Sequence, residues 1–208
     1  MRATLLLAAF LLISLHAWAS SRGQAEHGAV QATRIYVMRG LGDKAFSQGV
    51  DEIGALLKQR VPGAVVHVGN WHEWELFSAE AMQHPTDHVV FVGFSMGSAA
   101  AGLAAKQLAA RRIPVKVIGL DPMCAAAAVD RDPHIDAVNF YATGCWGARD
   151  GRMINARNVR LPGFEGDLVG HIAFPSNPAI QALVLDEVLK ASTVQTRSNV
   201  STRLLQAR

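Results

Sequence analysis

Short apolar runs alternate along the chain with stretches of helical period. Arg34 to Met38, Ala64 to Val68, His88 to Phe94, Val115 to Leu120, Ala137 to Ala142 and Val159 to Leu161 read as strands. Between the first two, Phe46, Val50, Ile53 and Leu57 recur at helical spacing and predict an amphipathic helix over 46–59, ended by Pro62-Gly63. Asn70 to Met82 reads as a loop and a short helix stopped by Pro85. Small residues from Gly97 to Ala101 open a helix that runs to about Arg112. Its late Lys106, Arg111 and Arg112 suit the negative end of the helix dipole. A Gly-rich loop is expected over 162–170, and Pro178 to Ala191 forms the last helix, with Ile180, Leu183, Val184, Val188 and Leu189 as its apolar face. Strands that are nearly all apolar need cover on both faces. The pattern therefore predicts an α/β fold: a mostly parallel sheet with helices on both faces, in one domain over 33–191. A polar lead-in over 20–32 precedes it and a polar tail over 192–208 follows.

The first residues belong to a different pattern. Arg2 supplies a positive start, Ala3 to Leu15 is an apolar run, and Ala17-Trp18-Ala19 fits the small-x-small rule for signal cleavage. We read 1–19 as a signal peptide cut after Ala19. The apolar run is shorter than the roughly 20 residues of a membrane span. No second run of spanning length follows, so an exported, soluble protein without a stable membrane span is expected.

Charge adds little to this picture. The formal net charge of +3 falls by one when Arg2 is removed, and no Lys/Arg cluster is interleaved with aromatics as nucleic-acid binding would need. Cys124 and Cys145 permit one disulfide in an exported chain. The spacing of His67, His72 and Glu73 fits no zinc pattern, and no metal or organic cofactor is implied. Trp71, Trp74 and Trp146 suit either a pocket rim or core packing.

The chemistry centres on Gly93-Phe94-Ser95-Met96-Gly97, a G-x-S-x-G match set between a buried strand and a small-residue helix. That context is the one a nucleophile elbow requires, with Ser95 held at the tip and its hydroxyl exposed. A serine hydroxyl needs a base, and the base needs an orienting acid. Of eight histidines, the chain order Ser–acid–His selects His171, after the last strand. Asp121 ends the strand after the nucleophile helix, where Pro122 keeps it extended, and is favoured as the acid. Asp150, several residues into the next loop, is the alternative; Asp167 lies too near His171 in sequence. An oxyanion would need two N–H donors. Met96, which starts the helix, and Leu41, in the turn Arg39-Gly40-Leu41-Gly42, are the candidates.

These residues resemble the α/β-hydrolase superfamily over nearly the whole mature length. The resemblance rests on GFSMG at 93–97, RGLG at 39–42, GLDP at 119–122 and GHIAF at 170–174. GLDP is similar to the lipase and thioesterase members whose acid follows the strand after the nucleophile helix. The usual His-Gly at the oxyanion turn is Arg39-Gly40 here, a departure that spares the backbone role. The short segment 122–136 leaves no room for a large cap domain. The resemblance implies a small, lidless serine hydrolase that cleaves a small-molecule or polymer ester through an acyl-enzyme. An acyltransferase or thioesterase on the same triad, and an exported binding protein without catalysis, are the alternative readings.

Overall fold

The computed structural model describes residues 31–122, 127–143, 151–165 and 167–206. Strand β1 (Thr33–Arg39) is followed by α1 (Gln48–Arg60), β2 (Val65–Asn70) and α2 (Trp74–Met82). Next come β3 (His88–Phe94), α3 (Met96–Ala109) and β4 (Val115–Leu120). Then β5 (Ile135–Thr143), β6 (Arg157–Glu165), α4 (Leu168–Ala173) and α5 (Pro178–Gln206) complete the order. The six strands form one sheet in the order β2-β1-β3-β4-β5-β6, with every pairing parallel.

Helices cover both faces, which is why β3 is buried at every position. On one face Ile35, Val92, Ile118 and Phe140 meet Val50, Ile53 and Leu57 of α1 and Ile180, Val184 and Val188 of α5. On the other, Tyr36, Phe91 and Val117 meet Phe77 of α2 and the alanines of α3. Trp71 and Trp74 are partly buried against this second cluster, so they pack rather than line a rim. Burying a side chain such as Phe91 contributes roughly 1.5–3 kcal/mol. The fold is an α/β fold, a parallel sheet covered by helices on both faces.

At the amino end of the sheet, Lys116 and Asp136 lie opposite each other on β4 and β5. The Lys116 Nζ donates to Asp136 Oδ2 and Glu187 Oε2, both at 2.8 Å. Arg157 Nη2 reaches Glu187 Oε1 at 2.9 Å. These bonds fix α5 to the sheet. Burial pushes the Glu187 carboxyl up, but Lys116 and then Arg157 and Lys190 outweigh it and hold the group below its ordinary value.

Several boundaries differ from the sequence reading. Phe46 is exposed and precedes α1, which starts at Gln48. The strand expected over 159–161 runs from Arg157 to Glu165, through Pro162. As the edge strand it needs no ladder bond from the missing proline N–H. His171 lies on a short helix, not in a loop, because the Asp167 carboxylate accepts from Gly170 N–H at 2.6 Å and caps that turn. The last helix continues past Ala191 into the polar stretch from Ser192, where Ser192 and Thr193 hydroxyls bond back to the carbonyls of Val188 and Leu189. Among the described residues, no single helix is long and apolar enough to cross a membrane.

Candidate active site

The strand order reverses between β1 and β3, since β1 leads outward to β2 and β3 leads the other way to β4. Connections from the carboxyl ends of β1 and β3 therefore leave in opposite directions, and the crevice of such a sheet is expected between them. The β1 turn at Gly40 and the elbow at Ser95 meet in that crevice. A Cβ placed on Gly40 would lie 2.8 Å from Ser95 Cβ and 3.3 Å from its Oγ.

Ser95 takes φ 54° and ψ −119°, a strained geometry for a residue with a Cβ. Its surroundings over-determine it. Ser95 N–H donates to Leu120 O at 3.0 Å, and Ser98 N–H to Ser95 O at 3.0 Å. Behind it, Ser98 Oγ donates to Gly93 O at 2.7 Å. Gly93 and Gly97 are glycines for space: a Cβ on Gly93 would fall 2.1 Å from Gly97 O, and one on Gly97 would fall 2.3 Å from Met38 O. The serine is not exposed as expected: Ser95 is 4% accessible, with the Gly40 backbone against it.

Asp121 and His171 come together from chain positions far apart. The His171 Nδ1 lies 2.8 Å from Asp121 Oδ2. A carboxylate only accepts, so Nδ1–H is the donor and Nε2 keeps the free lone pair. The imidazole stacks on Phe94, the residue before Ser95, with ring centroids 4.7 Å apart. Asp121 is itself held on both sides. Its N–H donates to Phe140 O at 2.8 Å, and its Oδ1 accepts from Ala142 N–H at 3.1 Å. The other described histidines lie elsewhere. His67 stacks on Tyr36, His134 bonds Asp132, and His88 starts β3 at the opposite end of the sheet from Ser95. Asp150 lies outside the described residues, as do Cys124, Cys145, Trp146 and the signal peptide.

The two expected oxyanion donors lie on either side of the crevice. Met96 is the first residue of α3, and the first N–H groups of a helix have no intrahelical acceptor. Leu41 follows Gly40, whose own N–H donates to the buried Ser47 hydroxyl at 3.3 Å. Arg39 does not reach into the site. Its guanidinium pairs with both oxygens of Asp51 and donates to Asn70 Oδ1 at 3.1 Å. That buried fork anchors the turn.

Several supports had no sequence signal at all. Ala142 N–H, the Phe94 ring and the Ser47 hydroxyl meet the site residues only through sheet register or chain reversal. Leu41 and Phe46, in and just after the β1 turn, and Leu168 and Val169, on the helix that carries His171, are exposed large apolar residues. The start of α1, which follows the β1 turn, packs on the turn that follows α4, since a Cβ on Gly49 would fall 2.2 Å from Ser176 N.

No family model matches the chain, and no curated protein matches it. Among solved structures it is similar to a cutinase-like protein from Cryptococcus sp., at 16% identity and a TM-score of 0.48. The likeness covers 77% of this chain and 94% of that one.

Proposed function

We propose that this chain is a serine hydrolase acting on an ester or related acyl substrate through an acyl-enzyme. The observation that carries the reading is the 2.8 Å bond from His171 to Asp121, on a ring stacked against the residue that precedes Ser95. A nucleophile at a strained elbow, with a base oriented by an acid, is the arrangement acyl transfer needs.

In this mechanism Ser95 Oγ attacks the acyl carbon and His171 Nε2 takes its proton. Asp121 stabilises the imidazolium and keeps Nδ1 as the donor. The carbonyl oxygen gains negative charge between the N–H groups of Leu41 and Met96. His171 then returns the proton to the leaving group, whose bond to carbon breaks, and the acyl group stays on Ser95. Water attacks that ester, His171 takes the water's proton and passes it to Ser95 Oγ, and the acid leaves. These steps call on no metal or organic cofactor. The exposed apolar side chains around the crevice favour an apolar acyl group over a charged one.

The N-terminal pattern adds export to the proposal: cleavage after Ala19 would leave Ser20 as the first mature residue. A panel of p-nitrophenyl esters of increasing chain length tests the activity. Turnover that Ser95→Ala abolishes supports the reading. A folded protein that turns over none of them, or a Ser95→Ala variant that matches wild type, contradicts it. An acyltransferase would reveal itself by faster release when an alcohol acceptor is added.

A further inference from the structure

Asn139 of β5 lies opposite Asn158 of β6 and is fully buried. Its Nδ2 donates to Gly151 O at 2.8 Å and to Asn158 Oδ1 at 2.9 Å. The orientation of both amides follows from the network. Asn158 Oδ1 accepts Met153 N–H at 2.8 Å, while Asn158 Nδ2 donates to the carbonyls of Met153 and Ala156, both at 2.9 Å. Only the nitrogen of Asn139 can then face the Asn158 oxygen. The remaining atom, Asn139 Oδ1, is buried without a partner among the described residues. It points toward Gly119, where a Cβ would fall 2.8 Å from it.

A buried acceptor left unpaired lowers stability, so an amide at this position needs a reason. The backbone that Asn139 grips supplies one. A Cβ on Gly151 would lie 3.1 Å from Asp121 Oδ1 and 3.2 Å from Tyr141 Cβ. The Gly151 backbone therefore lies beside the Asp121 oxygen that accepts Ala142 N–H, leaving Oδ2 for His171.

We propose that Asn139 is a positioning residue for the candidate triad. It clamps the Gly151 carbonyl so that the Gly151 backbone confines the Asp121 carboxylate with Oδ2 toward His171. The inference rests on Asp121 acting as the triad acid. Asn139 touches no reacting atom and works through Gly151.

Two variants address the clamp separately. Asn139→Ala removes the grip together with the unpaired oxygen, and Gly151→Ala pushes a methyl against Asp121. Each is read in two ways: by the far-downfield proton resonance of the His171 Nδ1–H, and by the pH dependence of Ser95 labelling with a fluorophosphonate. In both variants we expect that resonance to move upfield or broaden while melting stays cooperative. Labelling should slow by about 10–100-fold, the cost of a small misplacement of a catalytic group. Its acid limb should move to lower pH, because a misaligned carboxylate stabilises the imidazolium less. Folded variants that keep the wild-type resonance and the wild-type pH profile would overturn the inference, as would a wild type lacking the resonance. Wild-type protein that shows the resonance but resists labelling would instead sink the hydrolase reading, and the resonance in the two variants would still decide the role of Asn139. Should Asn139→Ala fail to fold, Asn139→Ser, whose short side chain loses both bonds, is read in the same two ways and decides.

Discussion

The imidazole of His171 rests on the ring of Phe94 at 4.7 Å, with the planes 29° apart. Phe94 fills the first variable position of the G-x-S-x-G motif, so one side chain links the strand that leads into Ser95 to the helix that carries His171. Replacing Phe94 with Leu keeps an apolar side chain but removes the flat support. We expect Ser95 labelling to slow by about tenfold, with a stability loss of about 1 kcal/mol from the altered packing. Labelling kinetics beside a thermal melt would separate the two effects.

Asp121→Asn tests the acid. An amide can donate to Nδ1 and so favours the wrong tautomer of His171. By analogy with other triads, turnover should fall on the order of 10⁴-fold while the protein stays folded. Asp150→Asn should leave turnover near wild type. The reverse ranking, measured as kcat/KM on one ester, would move the acid to Asp150.

The apolar side chains around the crevice make a prediction about substrate. Leu168→Ser and Val169→Ser each remove one exposed apolar side chain. Partial burial of such a side chain by a ligand is worth about 1 kcal/mol, or roughly fivefold in affinity. KM for a long-chain p-nitrophenyl ester should therefore rise by about that factor in each variant, with acetate ester kinetics unchanged. Equal effects on both esters would argue against a role in acyl selection.

The amino end of the sheet gives a pH signature. Lys116 outweighs the burial that pushes Glu187 up, so the folded carboxyl titrates below its ordinary value. A depressed folded pKa stabilises above the unfolded pKa, and the stabilisation is lost as pH falls through the folded one. Glu187→Gln removes the negative charge shared by Lys116, Arg157 and Lys190 and should cost about 3 kcal/mol at neutral pH. Urea unfolding at stepped pH should show the gap between variant and wild type closing below the normal carboxyl range. A gap that stays constant with pH would contradict this account.

Much of the fold was legible because a strand covered on both faces writes itself as a continuous apolar run. β3 and β4 begin and end as their sequences predict. β6 was harder: Pro162 and Gly163 read as a loop, and only its place at the sheet edge lets a strand continue through them. The short helix under His171 depends on a cap, Asp167, which the sequence reading weighed only as a triad acid. The meeting of His171 with Asp121 followed from chain order and strand ends. The burial of Ser95 did not, because Gly40 reaches it from a distant strand end. Sequence spacing carries local period and strand-end position. It does not carry contacts made through register, such as Ala142 to Asp121.

The central claim is that Ser95 is an activated nucleophile. Incubating the folded protein with a fluorophosphonate and mapping the adduct by peptide mass spectrometry tests it most directly. The account predicts one adduct, on Ser95, which slows sharply in His171→Ala and is absent in Ser95→Ala. No adduct on folded wild type, or a Ser95→Ala variant that labels as fast, would contradict it.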